Sequence, residues 1–494
     1  MRKNFLILFL LFGLVGVLSA EIRKAVLLHT SDIHARLTKD QAARLTTVIS
    51  RETMAAGGRD AVLLVDTGDL IQGSLAGSVT NGRIAIEFLN ANGYQAWIPG
   101  NHDFEFGFAA LLSCRRAFQG DALAANLQFN GIEAYFRGWK MYTVNNLKVA
   151  LVGLTYPFQQ QIFPPGSTAF RLEDFRPALD RIIPQVMAAA PDIIVLGVHY
   201  GMSGSFEPGD NSLFALAAAY PQINVVLGGH THQIVPGRRL GASSWYQEPG
   251  KHGEGVMVTT VEWDTDRKAV VQVRSRFSPS APVKDAESCP TQVMRLARQT
   301  VDFGLRPVGE LHCSGGNSAS APFTPLHQLW GVAALAGAKA DVAFISPSRI
   351  PDKLPSGKIN EFDLYQLAPY EDELIVLPLT REEIKVVLEE QLSLLKKANR
   401  ISHLQAPFGF TAVCDAAGRV DKMEFTNVKP VYRVVFSGFT LAGAKRHLPQ
   451  LNRILQTHMA ERQHTGVNLR QALREYLAKN SPVTVGVPGN LRQE

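Results

Sequence analysis

The stretch Gly100-Asn101-His102-Asp103-Phe104-Glu105 packs three chemical tools into a few residues. The Asn101 amide oxygen suits a metal ion and the His102 imidazole suits a phosphate oxygen. Glu105, three residues on, suits the task of orienting that imidazole. Four further stretches carry residues of the same kind: Asp32-Ile33-His34, Gly68-Asp69, a lone His199, and Gly229-His230-Thr231-His232. Imidazole nitrogens with carboxylate and amide oxygens suit Mn, Zn, Fe or Co, and a ligand set without cysteine disfavours a closed structural zinc site. Two such divalent ions side by side activate a water and stabilise a phosphorus centre that is gaining a fifth oxygen. One carboxylate must then lie between them. Asp69, preceded by a glycine that lets the backbone pass close, is the natural choice. The chemistry these residues point to is hydrolysis of a small-molecule phosphoester.

Residues so far apart must be brought together by the elements that carry them. Short apolar runs at 25–29 (AVLLH), 61–65 (AVLLV), 96–98 (AWI), 149–154, 192–198 and 224–227 read as strands, with helical patterns over 40–55, 83–90 and 108–118. Strands rich in Val, Ile and Leu, alternating with helices, predict an α/β sheet buried on both faces. Each set of ligand-type residues directly follows one of these runs. The carboxyl ends of parallel strands share one edge, where open α/β sheets hold their ligands. Taken singly, each motif has a plainer reading. Asp-x-His begins loops and caps helices, Gly-Asp and Pro-Gly-Asn are turns, and a histidine on an apolar strand is usually a packed core residue. In order and at successive strand ends, they are poorly explained by chance. His29, His252, His312, His327, His403, His447, His458 and His464 lack such company and are read as structural. A run over 256–263 alternates and is expected to be an outer or edge strand.

The N-terminus follows a different grammar. Arg2 and Lys3 precede an apolar run over 5–18, and Leu18-Ser19-Ala20 offers a small-residue cleavage site. This predicts a signal peptide at 1–20; the run is shorter than the ~20 residues a spanning helix needs, so no stable membrane insertion is expected after cleavage. The formal charge of +6 over 494 residues is mild, and no Lys/Arg stripe with interleaved aromatics suggests nucleic acid. Of the four cysteines, Cys289 and Cys313 are the more plausible disulfide pair, with Cys114 and Cys414 remaining. A Ser/Pro-rich stretch at 277–283 marks a boundary. The chain is read as a first domain over 21–280, a linker over 281–305 with a bridging helix at 292–301, and a second domain over 306–494. The loop at Gly315-Gly316-Asn317 opens the second domain, and runs at 342–345, 374–379 and 432–436 with a helix at 381–396 would supply its core.

The motifs D-x-H, G-D, G-N-H-D, a strand-end His and G-H-T-H, in this order, resemble the calcineurin-like metallophosphoesterase superfamily. The signal peptide and long second half narrow the resemblance to the secreted 5′-nucleotidase/UDP-sugar hydrolase group. It implies a four-layer α/β/β/α metallophosphoesterase catalytic domain followed by a smaller α/β substrate-specificity domain. It implies two divalent ions, one held by Asp32, His34 and His232, the other by Asn101, His199 and His230, with Asp69 bridging. His102 would contact the transferring phosphoryl oxygen. The family orients that histidine with an aspartate three residues later, where this chain has Glu105, one methylene longer. In the second domain the family sandwiches a nucleobase between two aromatics, and Tyr370 and Phe439 match those positions. The family's P-F-G-N reads Pro369-Tyr370-Glu371-Asp372 here, and its N-G-G-G-I-R segment reads Ser346-Pro347-Ser348-Arg349-Ile350-Pro351, leaving Arg349 as the nearest cation. For Tyr370 and Phe439 stacking and core packing both stay open. The resemblance implies an exported, periplasmic or extracellular phosphohydrolase of a nucleotide. Cyclic-nucleotide or UDP-sugar hydrolysis on the same core, and a non-catalytic ligand-binding protein, are the alternatives.

Overall fold

The computed structural model describes residues 21–129, 135–157, 170–202, 212–281, 288–314, 323–345, 354–398 and 405–493. Residues 1–20, read above as a signal peptide, the Gly315-Gly316-Asn317 loop, Arg349 and His403 lie outside them.

The first half is built on two six-stranded sheets. In one, Ile22–Thr30, Val62–Asp66, Ala96–Trp97 and Asp121–Ala122 run parallel in that order, and Gly255–Asp264 and Ala269–Pro279 extend the sheet antiparallel beyond Ile22–Thr30. In the other, Leu147–Leu154, Ile193–Val198, Val225–Leu227 and Ser244–Pro249 are parallel, flanked by Trp139–Val144 and Ile234–Leu240. Alternation along each strand sorts its side chains between two buried faces. Ala25, Leu27, Leu63 and Val65 meet Val149, Leu151, Val195 and Val225 between the sheets. Val26, Leu28 and Leu64 instead pack on Leu45, Val48, Ile84 and Phe88 of the helices Lys39–Ala55 and Arg83–Asn92. Val152, Ile194 and Leu196 pack on Leu179, Ile183 and Leu216 from the opposite helical layer. The order of layers is helix, sheet, sheet, helix, as the resemblance implied.

Three expectations are corrected. The alternating run at 256–263 is not an edge strand: it lies between Ile22–Thr30 and Ala269–Pro279, with Val256 and Val258 buried on the helical side and Val261 between the sheets. The Ser/Pro-rich stretch begins inside that last strand, which runs to Pro279. Cys289 and Cys313 form no disulfide, and all four cysteines are free. Cys289 is buried in the core of the first half, whereas Cys313 packs against that of the second.

The helix expected to bridge the halves is Thr291–Gly304. Its Val293 and Leu296 are buried in the core of the first half, and its far end meets the helix Glu361–Leu367. The second half centres on a five-stranded sheet in the order Ala406–Phe408, Val342–Ile345, Tyr432–Ser437, Glu373–Leu379 and Gln463–Asn468. Ala343, Ile345, Val376 and Val435 face the helices Pro325–Ala338 and Leu469–Asn480, and Val342, Phe344, Ile375 and Phe436 face the helix Pro449–Thr457 and its neighbours. Among the described residues, no helix is long and apolar enough to cross a membrane.

Candidate active site

Every ligand-type residue sits just past the carboxyl end of a parallel strand. Asp32 and His34 follow Ile22–Thr30, Asp69 follows Val62–Asp66, and Asn101 follows Ala96–Trp97. His199 follows Ile193–Val198, and His230 and His232 follow Val225–Leu227. The loops are tied to one another before any side chain is considered. Asp32, His34 and Ala35 donate their N–H groups to the carbonyls of Gly68, Asp69 and Leu70, each at 2.8 Å. Asp32, His34, Asp69, His230 and His232 all have φ between 50° and 73°. That left-handed region costs a non-glycine residue on the order of 1 kcal/mol or more and collects at functional sites. Close approach explains Gly100: a Cβ there would lie 2.3 Å from Asp69 Oδ1 and 2.4 Å from its backbone nitrogen. Gly68 has φ +100°, and its Cβ would strike the Gly100 nitrogen at 2.3 Å.

The side chains converge as two clusters. In Asp32/His34/His232 and in Asp69/His199/His230 the ligand atoms lie within 4.8 Å of one another. Asp69 Oδ2 faces both, 3.1 Å from His199 Nε2 and 3.9 Å from His34 Nε2. Two tautomers are set by backbone carbonyls, which can only accept. His34 Nδ1 donates to Gln72 O at 2.8 Å and His199 Nδ1 donates to Thr67 O at 2.7 Å, so both Nε2 atoms turn lone pairs inward. His34 Nε2 lies 3.2 Å from His232 Nε2, which is itself 3.3 Å from Asp32 Oδ1, so the three ligand atoms crowd one small space. Asn101 Oδ1 is buried without a hydrogen-bond partner. Such an orphan costs about 1–3 kcal/mol unless something accepts its lone pair. Burial, with the nearby His199, pushes the His230 imidazole down to about 4, keeping it in the neutral form that binds metal. The donor set fits two divalent ions.

His102 lies at the junction. Its Nδ1 is hydrogen-bonded to Glu105 Oε1, and its Nε2 is 3.9 Å from Asp69 Oδ2, on the side of the clusters. The longer acid reaches because residues 102–104 form a 3₁₀ turn, in which positions i and i+3 eclipse one another. Burial disfavours the imidazolium, but Asp69 and then Glu105 overcome it and raise His102 to about 10. Glu105→Gln is expected to lower kcat about 10–100-fold with metal content unchanged; steady-state kinetics and metal analysis check this.

Several supporting residues take roles that the motifs do not assign. Asp103 is fully buried, accepting from Leu70 and Ile71 N–H on Oδ1 at 2.8 Å each and from Gly100 N–H on Oδ2 at 2.7 Å. One carboxylate thus fastens the loop bearing Asp69 to the loop bearing Asn101. An amide must turn its NH₂ toward one of these donors. Asp103→Asn is therefore expected to cost about 1–3 kcal/mol, measurable by denaturant unfolding of the metal-free protein. Glu248, also fully buried, accepts from the Thr231 hydroxyl, the Gln233 N–H and the Tyr246 hydroxyl, holding the loop between His230 and His232. Tyr156 stacks on His230, with ring centroids 4.5 Å apart. His252, read from sequence as structural and without company, belongs to neither cluster but lies beside the first. Its ring centroid is 5.7 Å from that of His34 and 6.1 Å from that of His232, and its backbone N–H donates to Asp32 O at 2.7 Å. His29 is the packed strand residue expected, bonded to Thr67 Oγ1 at 2.8 Å.

Of the second-half residues, Tyr370 stacks beside His102, with centroids 6.0 Å apart and planes 24° apart. Phe439 is 67% exposed and Tyr370 38% exposed, so neither ring is a core residue. The Phe439 N–H donates to Asp372 Oδ1 at 2.9 Å.

Comparison with known proteins agrees with this geometry. The family model for calcineurin-like phosphoesterases matches residues 25–234, and that for the 5′-nucleotidase C-terminal domain matches residues 308–452. A snake venom 5′-nucleotidase from Gloydius brevicauda is 30% identical over 233 residues, which cover 42% of this chain but only 37% of that protein. A 5′-nucleotidase from Vibrio vulnificus is 23% identical over 94% of this chain and 91% of its own length. The crystal structure of a 5′-nucleotidase precursor from Thermus thermophilus shares the fold, with a TM-score of 0.66 at 20% identity, over 95% of this chain and 99% of that one. The chain belongs to the calcineurin-like phosphoesterases, two-metal enzymes, and within them to the 5′-nucleotidase type that carries a second, C-terminal domain.

Proposed function

We propose that the protein is an exported phosphohydrolase that releases phosphate from nucleoside 5′-monophosphates. The observation that carries the reading is the meeting of two ligand clusters at Asp69, with His102 Nε2 facing the same oxygen. Asp32, His34 and His232 would hold one ion, and Asn101, His199 and His230 the other, with Asp69 between. Mn, Zn, Fe or Co suits these ligands. The two ions, when bound, supply Lewis acidity toward the attacking water and the phosphoryl oxygens. His102 Nε2 donates to a phosphoryl or leaving-group oxygen, and Glu105 keeps the Nδ1 proton in place so that Nε2 stays aimed at the clusters. Tyr370 and Phe439, exposed aromatic faces of the second half, support a stacking site for the nucleobase. Export rests on the charged, apolar and small-residue pattern of the first twenty residues.

A panel of nucleoside monophosphates, sugar nucleotides, cyclic nucleotides, p-nitrophenyl phosphate and bis-p-nitrophenyl phosphate, assayed with Mn²⁺ or Zn²⁺, tests the proposal. Phosphate release should be fastest from the nucleoside monophosphates. Preference for the diester or a sugar nucleotide would move the assignment to those substrates on the same core. No turnover of any of them by protein with two metals bound would favour a ligand-binding protein.

A further inference from the structure

The segment Pro369-Tyr370-Glu371-Asp372 belongs to the second half but is held by the first. Gln72 Nε2 donates to Pro369 O at 3.5 Å, and the Ser78 hydroxyl donates to Glu371 Oε1 at 2.8 Å. Arg470 completes the cluster. Its Nη2 lies 3.2 Å from Ser78 Oγ and pairs with Glu371 Oε1, while its Nη1 donates to Ala368 O at 3.0 Å and its guanidinium lies over the Tyr365 ring. Asn468 Nδ2 takes the other Glu371 oxygen at 2.7 Å. The side chains of Arg470 and Glu371 are only 7% and 12% exposed. Apolar contact alone would hold two surfaces together; a desolvated ion pair with a hydroxyl shared across the boundary adds register.

That register is transmitted to the reaction centre along very short paths. Ser78 lies on the helix Leu75–Thr80, which follows directly on the loop of Asp69 and of Gln72, whose carbonyl fixes the His34 tautomer. Tyr370, next to Glu371, has its ring beside His102. We propose that Ser78, Glu371 and Arg470 form a clamp that sets Tyr370 against the His102 side of the site, which makes them positioning residues for selection of the leaving group. The clamp rests on the reading that the leaving group occupies the space in front of the second half. It accounts for a glutamate between Tyr370 and Asp372, where the resembling family has glycine.

Ser78→Ala removes the cross-boundary hydroxyl and leaves the Glu371–Arg470 pair intact. Its kcat/KM for adenosine 5′-monophosphate is expected to fall about tenfold, mainly through KM, with p-nitrophenyl phosphate turnover within about twofold of wild type. Ser78→Thr, which keeps the hydroxyl, should restore it. Equal losses on both substrates, or no loss on either, would overturn the proposal. Hydrogen exchange of the full metal-loaded protein gives a second, substrate-free reading. The amides of Tyr370, Glu371 and Asp372 should exchange faster in Ser78→Ala than in wild type, and unchanged exchange would defeat the clamp. A wild type that hydrolyses p-nitrophenyl phosphate but no nucleotide defeats the substrate assignment alone, and the exchange result still decides the clamp.

Discussion

Asp69→Asn is expected to yield folded protein that retains less than one metal per chain and has lost at least about a thousandfold in kcat/KM. Asp69 is 1% exposed, and its Oδ2 is the oxygen within reach of both clusters. Its other oxygen accepts the His102 backbone N–H at 2.8 Å. An asparagine must therefore choose. If its NH₂ points to the clusters, a donor faces the inward lone pairs of His34 and His199, where a cation should sit. If it points to His102, two donors collide and the loop carrying Asn101 is pushed away. In both cases the charge is gone, leaving Asp32 as the sole carboxylate for two dications. Elemental analysis of the dialysed protein measures the metal, and far-ultraviolet circular dichroism monitors the fold. Two tightly held ions in the variant would show that Asp69 is not the bridging ligand.

His102→Ala should separate binding from chemistry in the opposite way. His102 is a member of neither cluster, and its Nδ1 is already engaged by Glu105. Metal content should stay at two per chain, KM for a nucleoside monophosphate should move little, and kcat should fall about 10²–10⁴-fold, the range for a lost proton donor. The test compares kcat at saturating Mn²⁺ with metal content on the same preparation. Full activity in the variant would remove His102 from the reaction.

The ligand residues could be read before the fold because each follows an apolar run buried on both faces. Such runs name themselves as interior strands, and their carboxyl ends must share an edge. The roles of the supporting residues left no comparable trace, although Asp103 stands inside the G-N-H-D motif. Asp103 and Glu248 act through hydrogen bonds to backbone N–H groups and to a hydroxyl, partners that exist only once three loops have met. His252 comes alongside His34 because the loop before Gly255–Asp264 doubles back, with φ +54° at His252 itself, and no spacing rule encodes that return. Glu105 was legible as an acid at the right interval, but its reach depended on a 3₁₀ turn that the motif alone does not specify. The cysteine pair failed for a related reason: closeness in sequence to a presumed boundary says nothing about which core each thiol joins. In the second half, strands were found at 342–345, 374–379 and 432–436, but their mixed order depends on long-range pairings, Gln463–Asn468 against Glu373–Leu379 among them.

The helix Thr291–Gly304 bears on where the chain is divisible. A first half cut just after Pro279 would keep the last strand of its sheet, yet lack Cys289, Val293 and Leu296, all buried in its own core. The exposed scar would run along the helices Lys39–Ala55, Leu75–Thr80 and Arg83–Asn92, where Thr291–Gly304 now packs. A fragment of the first half that keeps this core whole therefore ends after residue 304, and the shorter one would be sticky.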